Sequence, residues 1–293
     1  MPPTITVFGL GLMGRPMART LRAAGVDARG WNRSPLDPEA AAGIPLCSHL
    51  DEAARAEICL LMLRDQTATD EVLARIEPLL RPGALILDMG SNDPRRSRAH
   101  AARLAARGVG WVDAPVSGGP EGAAAGALAI MVGGTAGDVA RARPVLNALG
   151  RVTHVGGAGA GHTAKAVNQA IVGMTLEAVA EALLLAERSG LDPRLVQQAL
   201  AGGLADSLLL QRHGTRMIAR TYLPGGRAAA QLKDLRLAMA LADEAGLRLP
   251  HLASVTGRFA ELVARGDGDL DHAAIHKLLL EQQALPVDAP VGG

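Results

Sequence analysis

The first half of the chain alternates short apolar runs with stretches whose apolar positions recur at helical spacing, and the second half keeps only the helical pattern. Thr4–Phe8, Val26–Trp31, Ile58–Leu63, Ala84–Asp88 and Val109–Asp113 are apolar runs bounded by Gly, Pro or charge, which predicts strands. Helices are predicted from about Met13 to Ala24, stopping at Gly25, and over Thr69–Leu80 and Arg95–Arg107. Leu128–Val132 and Val152–Val155 read as late strands that extend the same sheet. Strands alternating with helices imply right-handed crossovers and a mostly parallel sheet covered on both faces. After about residue 160 the strand pattern stops. Helices are then predicted over Thr163–Ser189, Pro193–Ala201, Ala205–Ala219, Ala228–Ala245, Pro250–Arg265 and Asp271–Gln283, with Gly or Pro between them. The expected class is α/β: a doubly wound parallel sheet over residues 1–160, followed by an all-α domain over residues 161–293. The Thr163–Ser189 pattern is long against a mean helix of about 11 to 12 residues, which predicts a spine joining the halves. The tail Pro286–Gly293 is expected to fray.

The junction of the first strand and first helix reads Gly9-Leu10-Gly11-Leu12-Met13-Gly14. At that place in an alternating chain, the spacing points to a dinucleotide-binding Rossmann turn. The first glycine makes the tight turn, the second lets a pyrophosphate approach the backbone, and the third lets helix and strand pack closely. The helix N-terminus adds unpaired N–H groups and positive potential. At the end of the second strand, an NAD site usually places a carboxylate for the ribose 2′-hydroxyl. This chain instead has Asn32-Arg33-Ser34. Arg33 can pair with a 2′-phosphate while Asn32 and Ser34 donate hydrogen bonds, so NADP(H) is expected rather than NAD(H).

Composition removes several classes of partner. The chain has 293 residues, with 30 Lys plus Arg against 29 Asp plus Glu, which gives no electrostatic case for nucleic acid or an anionic membrane. A single tyrosine, Tyr222, and 2% aromatic residues offer no stacking platform for bases. Cys47 and Cys59 have neither metal spacing nor the density of a disulfide scaffold, and Cys59 is expected as a buried thiol. No charged-then-apolar leader opens the sequence, and no apolar run is read as approaching a span of about 20 residues, so a cytoplasmic, membrane-free protein is expected. Of eight histidines, His272 and His276 stand at i, i+4 on a predicted helix, where a solvated face is favoured over a metal site; no metal is expected. His162 is read as a cleft, cap or solvent residue.

Two further segments carry candidate chemistry. Asp113-Ala-Pro-Val-Ser117-Gly118-Gly119 places exposed amides beside a hydroxyl, suited to a carboxylate. Lys165, Asn168 and Gln169 stand at i, i+3 and i+4 on one helical face, after the glycine-rich Gly156–Gly161 stretch. Taken alone, that lysine is either a proton donor in a partly buried volume or a helix-surface lysine that snorkels to water.

Together, the Gly9–Met17 turn, Asp113–Gly119, Gly159-Ala-Gly161 with Lys165-Ala-Val-Asn168-Gln169, and Lys233-Asp234-Leu235 resemble the β-hydroxyacid dehydrogenase family. That family includes 3-hydroxyisobutyrate dehydrogenases and tartronate semialdehyde reductases, and the likeness spans nearly the whole chain. The resemblance implies a Rossmann domain and a helical domain with the active site in the cleft between them. It also implies Lys165 as general acid/base, Ser117, Gly118 and Gly119 on the substrate carboxylate, and Gln169 with Asn168 on substrate. Lys233 and Ser91 fall on the cofactor side. There are departures. Asn168-Gln169 is nearer the tartronate semialdehyde reductase version than the Asn-Asn of many relatives. Gly90-Ser91 stands for a Ser-Thr pair, and Arg64 for a common proline. In Pro224-Gly225-Gly226 a glycine stands for a phenylalanine near the substrate, which implies a pocket that is wider or filled from elsewhere.

The expected activity is NADP(H)-dependent hydride transfer between a short β-hydroxyacid and its semialdehyde, as in a tartronate or succinic semialdehyde reductase. The alternatives are 3-hydroxyisobutyrate dehydrogenase-like oxidation, an imine reductase, or a non-catalytic NADP-binding protein. Imine reductases usually carry Asp or Tyr in place of the lysine. Apolar positions such as Met174, Leu176, Val179 and Leu183–Leu185 exceed what one cleft needs, so a homodimer or homotetramer is expected.

Overall fold

The computed structural model describes residues 3–41, 43–223 and 225–287. The described chain forms two compact units, Met1–Lys165 and Ala166–Gly293, which divide five residues after the 160/161 boundary expected from the sequence.

Unit 1 is an eight-stranded sheet with helices on both faces. Its strands are β1 (Ile5–Phe8), β2 (Ala28–Trp31), β3 (Ile58–Leu61), β4 (Leu85–Asp88), β5 (Gly110–Asp113), β6 (Val116–Ser117), β7 (Leu128–Gly134) and β8 (Gly150–Gly156). Between them run α1 (Gly14–Ala23), α2 (Pro38–Ala41), α3 (Leu50–Ala53), α4 (Gln66–Ile76), α5 (Pro94–Ala105), α6 (Gly119–Ala124) and α7 (Ala136–Leu149). The spatial order is β2-β1-β3-β4-β5-β7-β6, with β8 beside β7. The first five strands are parallel, in the register Ile5↔Ala28 and Ile5↔Ile58. β7 runs antiparallel to both β5 and β6. The two-residue β6, the reversal at β7, and helix α7 go beyond what the sequence pattern predicted.

Period-two alternation explains the layering. Ile5, Val7, Leu60, Leu85, Leu87 and Val112 belong to one buried cluster. Phe8, Cys59, Leu61, Ile86 and Trp111 belong to another. Consecutive residues of a strand point to opposite faces, so both faces must be apolar where helices cover them. Burial pushes the Cys59 thiol up to about 12, as an inert core residue.

The second unit is helical. α8 (Ala160–Arg188) runs into it, followed by α9 (Pro193–Leu200), α10 (Thr215–Ile218), α11 (Ala228–Glu244), α12 (Pro250–Ala264) and α13 (Ile275–Gln282). Leu176, Val179, Ala180 and Leu183 of α8 pack with Leu232, Leu235, Val255, Phe259 and Leu278. A Cβ on Gly173 would come within 2.9 Å of the Leu235 side chain, so α8 and α11 pack closely there. With 29 residues and a mean hydropathy of 1.5 over its most apolar window, α8 has the length and composition of a span, as core helices also do, and its Leu176, Val179, Ala180 and Leu183 are buried in the helical core. Lys165, Glu177, Glu181 and Glu187 break the sequence into shorter apolar runs, which is why no single run suggested this. The predicted frayed tail starts at Pro286, but Leu285 and Val287 pack against the core and Arg220 donates to the Pro286 carbonyl. Residues 288–293 and Pro224 lie outside the described residues.

Candidate active site

The glycine turn follows β1, and each glycine has a separate geometric reason. Gly9 has φ +94°, and a Cβ there would sit 2.5 Å from the Met62 carbonyl that follows β3. A Cβ on Gly14 would sit 1.9 Å from the Gly9 carbonyl. Around Gly11, by contrast, an added Cβ would meet no described atom within 4 Å. Two glycines therefore close the turn, and the middle one leaves its backbone open to an approaching group. Helix α1 starts at Gly14 with no acidic residue in its first turn, Leu12 is exposed, and Met13 packs on the core. Sheet order reverses between β1 and its neighbours β2 and β3, the place where open α/β sheets bind ligands. The turn has the geometry of a phosphate cradle: an open glycine backbone at a helix N-terminus, which would fit a dinucleotide.

At the end of β2 the three candidate residues separate. Asn32 works on the protein itself: its Oδ1 accepts the Leu10 amide at 3.1 Å and its Nδ2 donates to the Ser34 carbonyl at 2.9 Å. It braces the glycine turn against the β2 loop. Arg33 is exposed, with Nη1 3.6 Å from a Glu71 oxygen, and Ser34 is exposed. Arg64 pairs with Asp65, which caps α4 by accepting the Ala68 amide. Ser91 lies three residues after the end of β4 and is half-buried.

Lys165 meets the serine–glycine segment. Its Nζ donates to the Val116 carbonyl at 2.8 Å, one residue before Ser117. Gly118 and Gly119 both have positive φ, +138° and +70°, which turns the chain out of β6. The start of α8 is held by Asp113, whose Oδ1 accepts the Gly159 amide at 2.7 Å and whose Oδ2 accepts the His162 amide at 2.9 Å. A Cβ on Gly161 would lie 2.5 Å from the Asp113 and Met131 carbonyls, so glycine is required for that docking. His162 is buried, with Nδ1 2.6 Å from Ser97 Oγ and Nε2 3.2 Å from the Gly90 carbonyl. A carbonyl only accepts, so Nε2 carries a proton there. This buried anchor replaces the cleft, cap or solvent reading of His162. Nearby, burial raises the Asp88 carboxyl above its usual range, against the opposing pull of His162 and Asn92.

Asn168 and Gln169 follow on the next turn of α8, and their contacts lie in the helical unit. Asn168 Nδ2 donates to Gln169 Oε1 at 2.9 Å, and Gln169 Nε2 donates to Asp234 Oδ2 at 2.8 Å and Gln231 Oε1 at 3.1 Å. Lys233 Nζ lies 3.2 Å from Asp234 Oδ1. Asp234 and Gln231 are buried, so the Lys233–Asp234 pair is anchored in the helical unit. The sequence reading gave Gln231 no role; its i, i+3 spacing to Asp234 on α11 was the available sign. A Cβ on Gly226 would meet the His272 imidazole at 3.2 Å. His272 and His276 do not share a solvated face, because His276 is buried against the Tyr222 hydroxyl at 3.0 Å.

Residues 4–157 match the family model for the NAD binding domain of 6-phosphogluconate dehydrogenase. Residues 159–279 match that for the NAD-binding of NADP-dependent 3-hydroxyisobutyrate dehydrogenase. Over 280 residues the chain is 39% identical to the 2-hydroxy-3-oxopropionate reductase of Escherichia coli K12, covering 93% of this chain and 95% of that one. The chain belongs to the β-hydroxyacid dehydrogenase family. A 3-hydroxyisobutyrate dehydrogenase of Pseudomonas aeruginosa is 34% identical, covering 94% of this chain and 97% of its own. The structure of the Mycobacterium tuberculosis 3-hydroxyisobutyrate dehydrogenase with L-serine aligns with a TM-score of 0.84 at 32% identity, over 95% of this chain and 99% of that one. As a β-hydroxyacid dehydrogenase the protein is an oxidoreductase using a nicotinamide cofactor.

Proposed function

We propose that this β-hydroxyacid dehydrogenase uses NADP(H) to interconvert a short β-hydroxyacid and its semialdehyde, with Lys165 as general acid/base. The observation that supports the reading is the Lys165 Nζ to Val116 carbonyl bond of 2.8 Å, which holds the lysine against the residue that precedes Ser117, Gly118 and Gly119 in the chain. A carboxylate bound by the Ser117 hydroxyl and the backbone of Gly118 and Gly119 would lie next to that ammonium. Bound nicotinamide supplies or accepts the hydride at the carbinol carbon. Lys165 then gives a proton to the substrate oxygen in reduction, or takes one in oxidation, and stabilises the negative charge that develops there. Gln169 and Asn168 orient polar groups of the substrate without adding charge.

The turn Gly9, Gly11, Leu12, Met13 and Gly14 would hold the pyrophosphate. Arg33 and Ser34 would take the 2′-phosphate, with Asn32 bracing the turn that presents it; Ser91 and Lys233 contribute further cofactor contacts. The likeness to the 2-hydroxy-3-oxopropionate reductase supports tartronate semialdehyde as substrate, with succinic semialdehyde the second candidate. The second reading, oxidation in the manner of the 3-hydroxyisobutyrate dehydrogenases, rests on their comparable coverage of the chain. We also infer a homodimer or homotetramer, supported by the exposed Val167, Ile171 and Leu185 of α8. An NADPH-oxidation screen over glyoxylate and tartronate, succinic and methylmalonate semialdehydes, repeated in the oxidative direction, tests the substrate. Turnover of a semialdehyde with NADPH is expected; inactivity toward all of them in both directions rejects the proposal.

A further inference from the structure

His213 and His272 meet in the helical unit although 59 positions separate them. His213 lies in a π-helical turn, Leu210–Gly214, and His272 opens a single 3-10 turn, His272–Ala274. π-Turns are rare and cluster at functional sites. This one is held by Gln197, whose Nε2 donates to the carbonyls of Leu210 at 2.8 Å and Gln211 at 3.2 Å. The two Nε2 atoms are 3.2 Å apart, and the rings stand at 74°.

Behind His213 lies Asp271, fully buried. Its Oδ1 accepts His213 Nδ1 at 3.3 Å and the Ala273 amide at 3.0 Å. Its Oδ2 accepts the Gly225 amide at 3.1 Å, the Gly226 amide at 3.0 Å and Arg216 Nη1 at 2.5 Å. Five donors on one carboxylate leave it able only to accept, so His213 carries its proton on Nδ1 and presents the Nε2 lone pair toward His272. Arg216 and the two glycine amides also keep the carboxylate behind the imidazole.

We propose that His213 and His272 are the protein ligands of a divalent transition cation of the zinc-to-copper class, with Asp271 orienting His213. Two nitrogens on a tetrahedral centre with bonds of about 2.0–2.1 Å stand about 3.3 Å apart, which the observed separation matches. The carboxylate–imidazole–metal arrangement is the usual support for a ligating histidine, fixing its tautomer and raising its basicity. The remaining coordination positions belong to water or an incoming oxygen ligand. Imidazole donors select against Mg²⁺ and Ca²⁺. The site adjoins Gly226, where the family resemblance puts a residue near the substrate, but it uses neither Lys165 nor any of the cofactor-side residues above.

The test is calorimetric titration of Zn²⁺ into the full chain, beside His213→Gln, His272→Gln and, as control, the exposed His251→Gln. One saturable Zn²⁺ per chain is expected in wild type and control, with affinity lowered about tenfold or more in each of the first two variants. Folding of every variant is checked by circular dichroism. On wild type alone, the electron paramagnetic resonance spectrum of bound Cu²⁺ should show coupling to two nitrogens, a readout independent of any variant. No saturable Zn²⁺ binding in wild type, equal affinity in a folded His213→Gln or His272→Gln variant, or a Cu²⁺ spectrum without nitrogen coupling would each overturn the assignment.

Discussion

Asp113 Oδ2 accepts the amide hydrogen of His162 at 2.9 Å, three residues before Lys165. Together with the Gly159 amide on Oδ1, this ties the first turn of α8 to the end of β5. The same strand end leads, three residues later, to the carbonyl that receives Lys165 Nζ. Asp113 is thereby a positioning residue for the lysine. Asp113→Asn leaves one amide without its acceptor and sets an N–H against an N–H in a buried place. Stability should fall by about 2–3 kcal/mol in urea unfolding. Turnover should fall while KM for cofactor stays near wild type. Unchanged stability and turnover would remove Asp113 from this role.

Lys165→Ala deletes the ammonium and keeps the helix, since alanine is the best helix former. Turnover should drop by about 10²–10⁴-fold, the usual contribution of a positioned acid or base. NADPH affinity, measured by quenching of its fluorescence, should stay within about twofold if the loss is confined to the chemical step. A variant that keeps wild-type turnover refutes the assignment of Lys165.

Arg33 and Asn32 should be separable by their cofactor selectivity. Arg33→Ala should weaken NADPH by about tenfold or more, roughly one charge-assisted bond of about 1.5–3 kcal/mol, and leave NADH nearly untouched. Asn32→Ala should weaken both cofactors, because Asn32 braces the turn through the Leu10 amide. Glu71→Gln removes the carboxylate 3.6 Å from Arg33 and should tighten NADPH modestly. If Arg33→Ala binds both cofactors as wild type does, the NADP(H) reading fails.

The alternation of strands and helices was legible because each strand buries both faces, which leaves continuous apolar runs such as Ile58–Leu61. The two-residue β6 carries too little pattern to see, and the direction of β7 depends on pairing rather than on period. The glycine turn was legible at Gly9 and Gly14 because their backbone geometry admits no side chain there. Asn32 shows the limit. Sequence gave its chemistry as a donor, but only coordinates show its oxygen already accepting the Leu10 amide. His213 and His272 show it again: their meeting depends on a π-turn and a chain reversal that no local spacing encodes.

His276 predicts a pH-dependent stability of defined sign. Burial holds its imidazole down at about 4, and the neighbouring Arg220 charge acts in the same direction. In the unfolded chain the group titrates near its ordinary value of about 6.5. Between these values the unfolded state binds the proton and the folded state does not, so stability rises with pH across the window. The contribution is fully present above about pH 6.5, is lost as pH falls toward about 4, and changes no further below that. The full span is of order 3 kcal/mol. His276→Gln keeps a polar partner for the Tyr222 hydroxyl and removes the titration. Urea unfolding of wild type and variant from pH 7.5 to 4 isolates the effect, since other titrating groups cancel in the difference. The wild-type curve should fall more steeply than the variant's between pH 6.5 and 4. Parallel curves would show that His276 is protonated without cost in the fold.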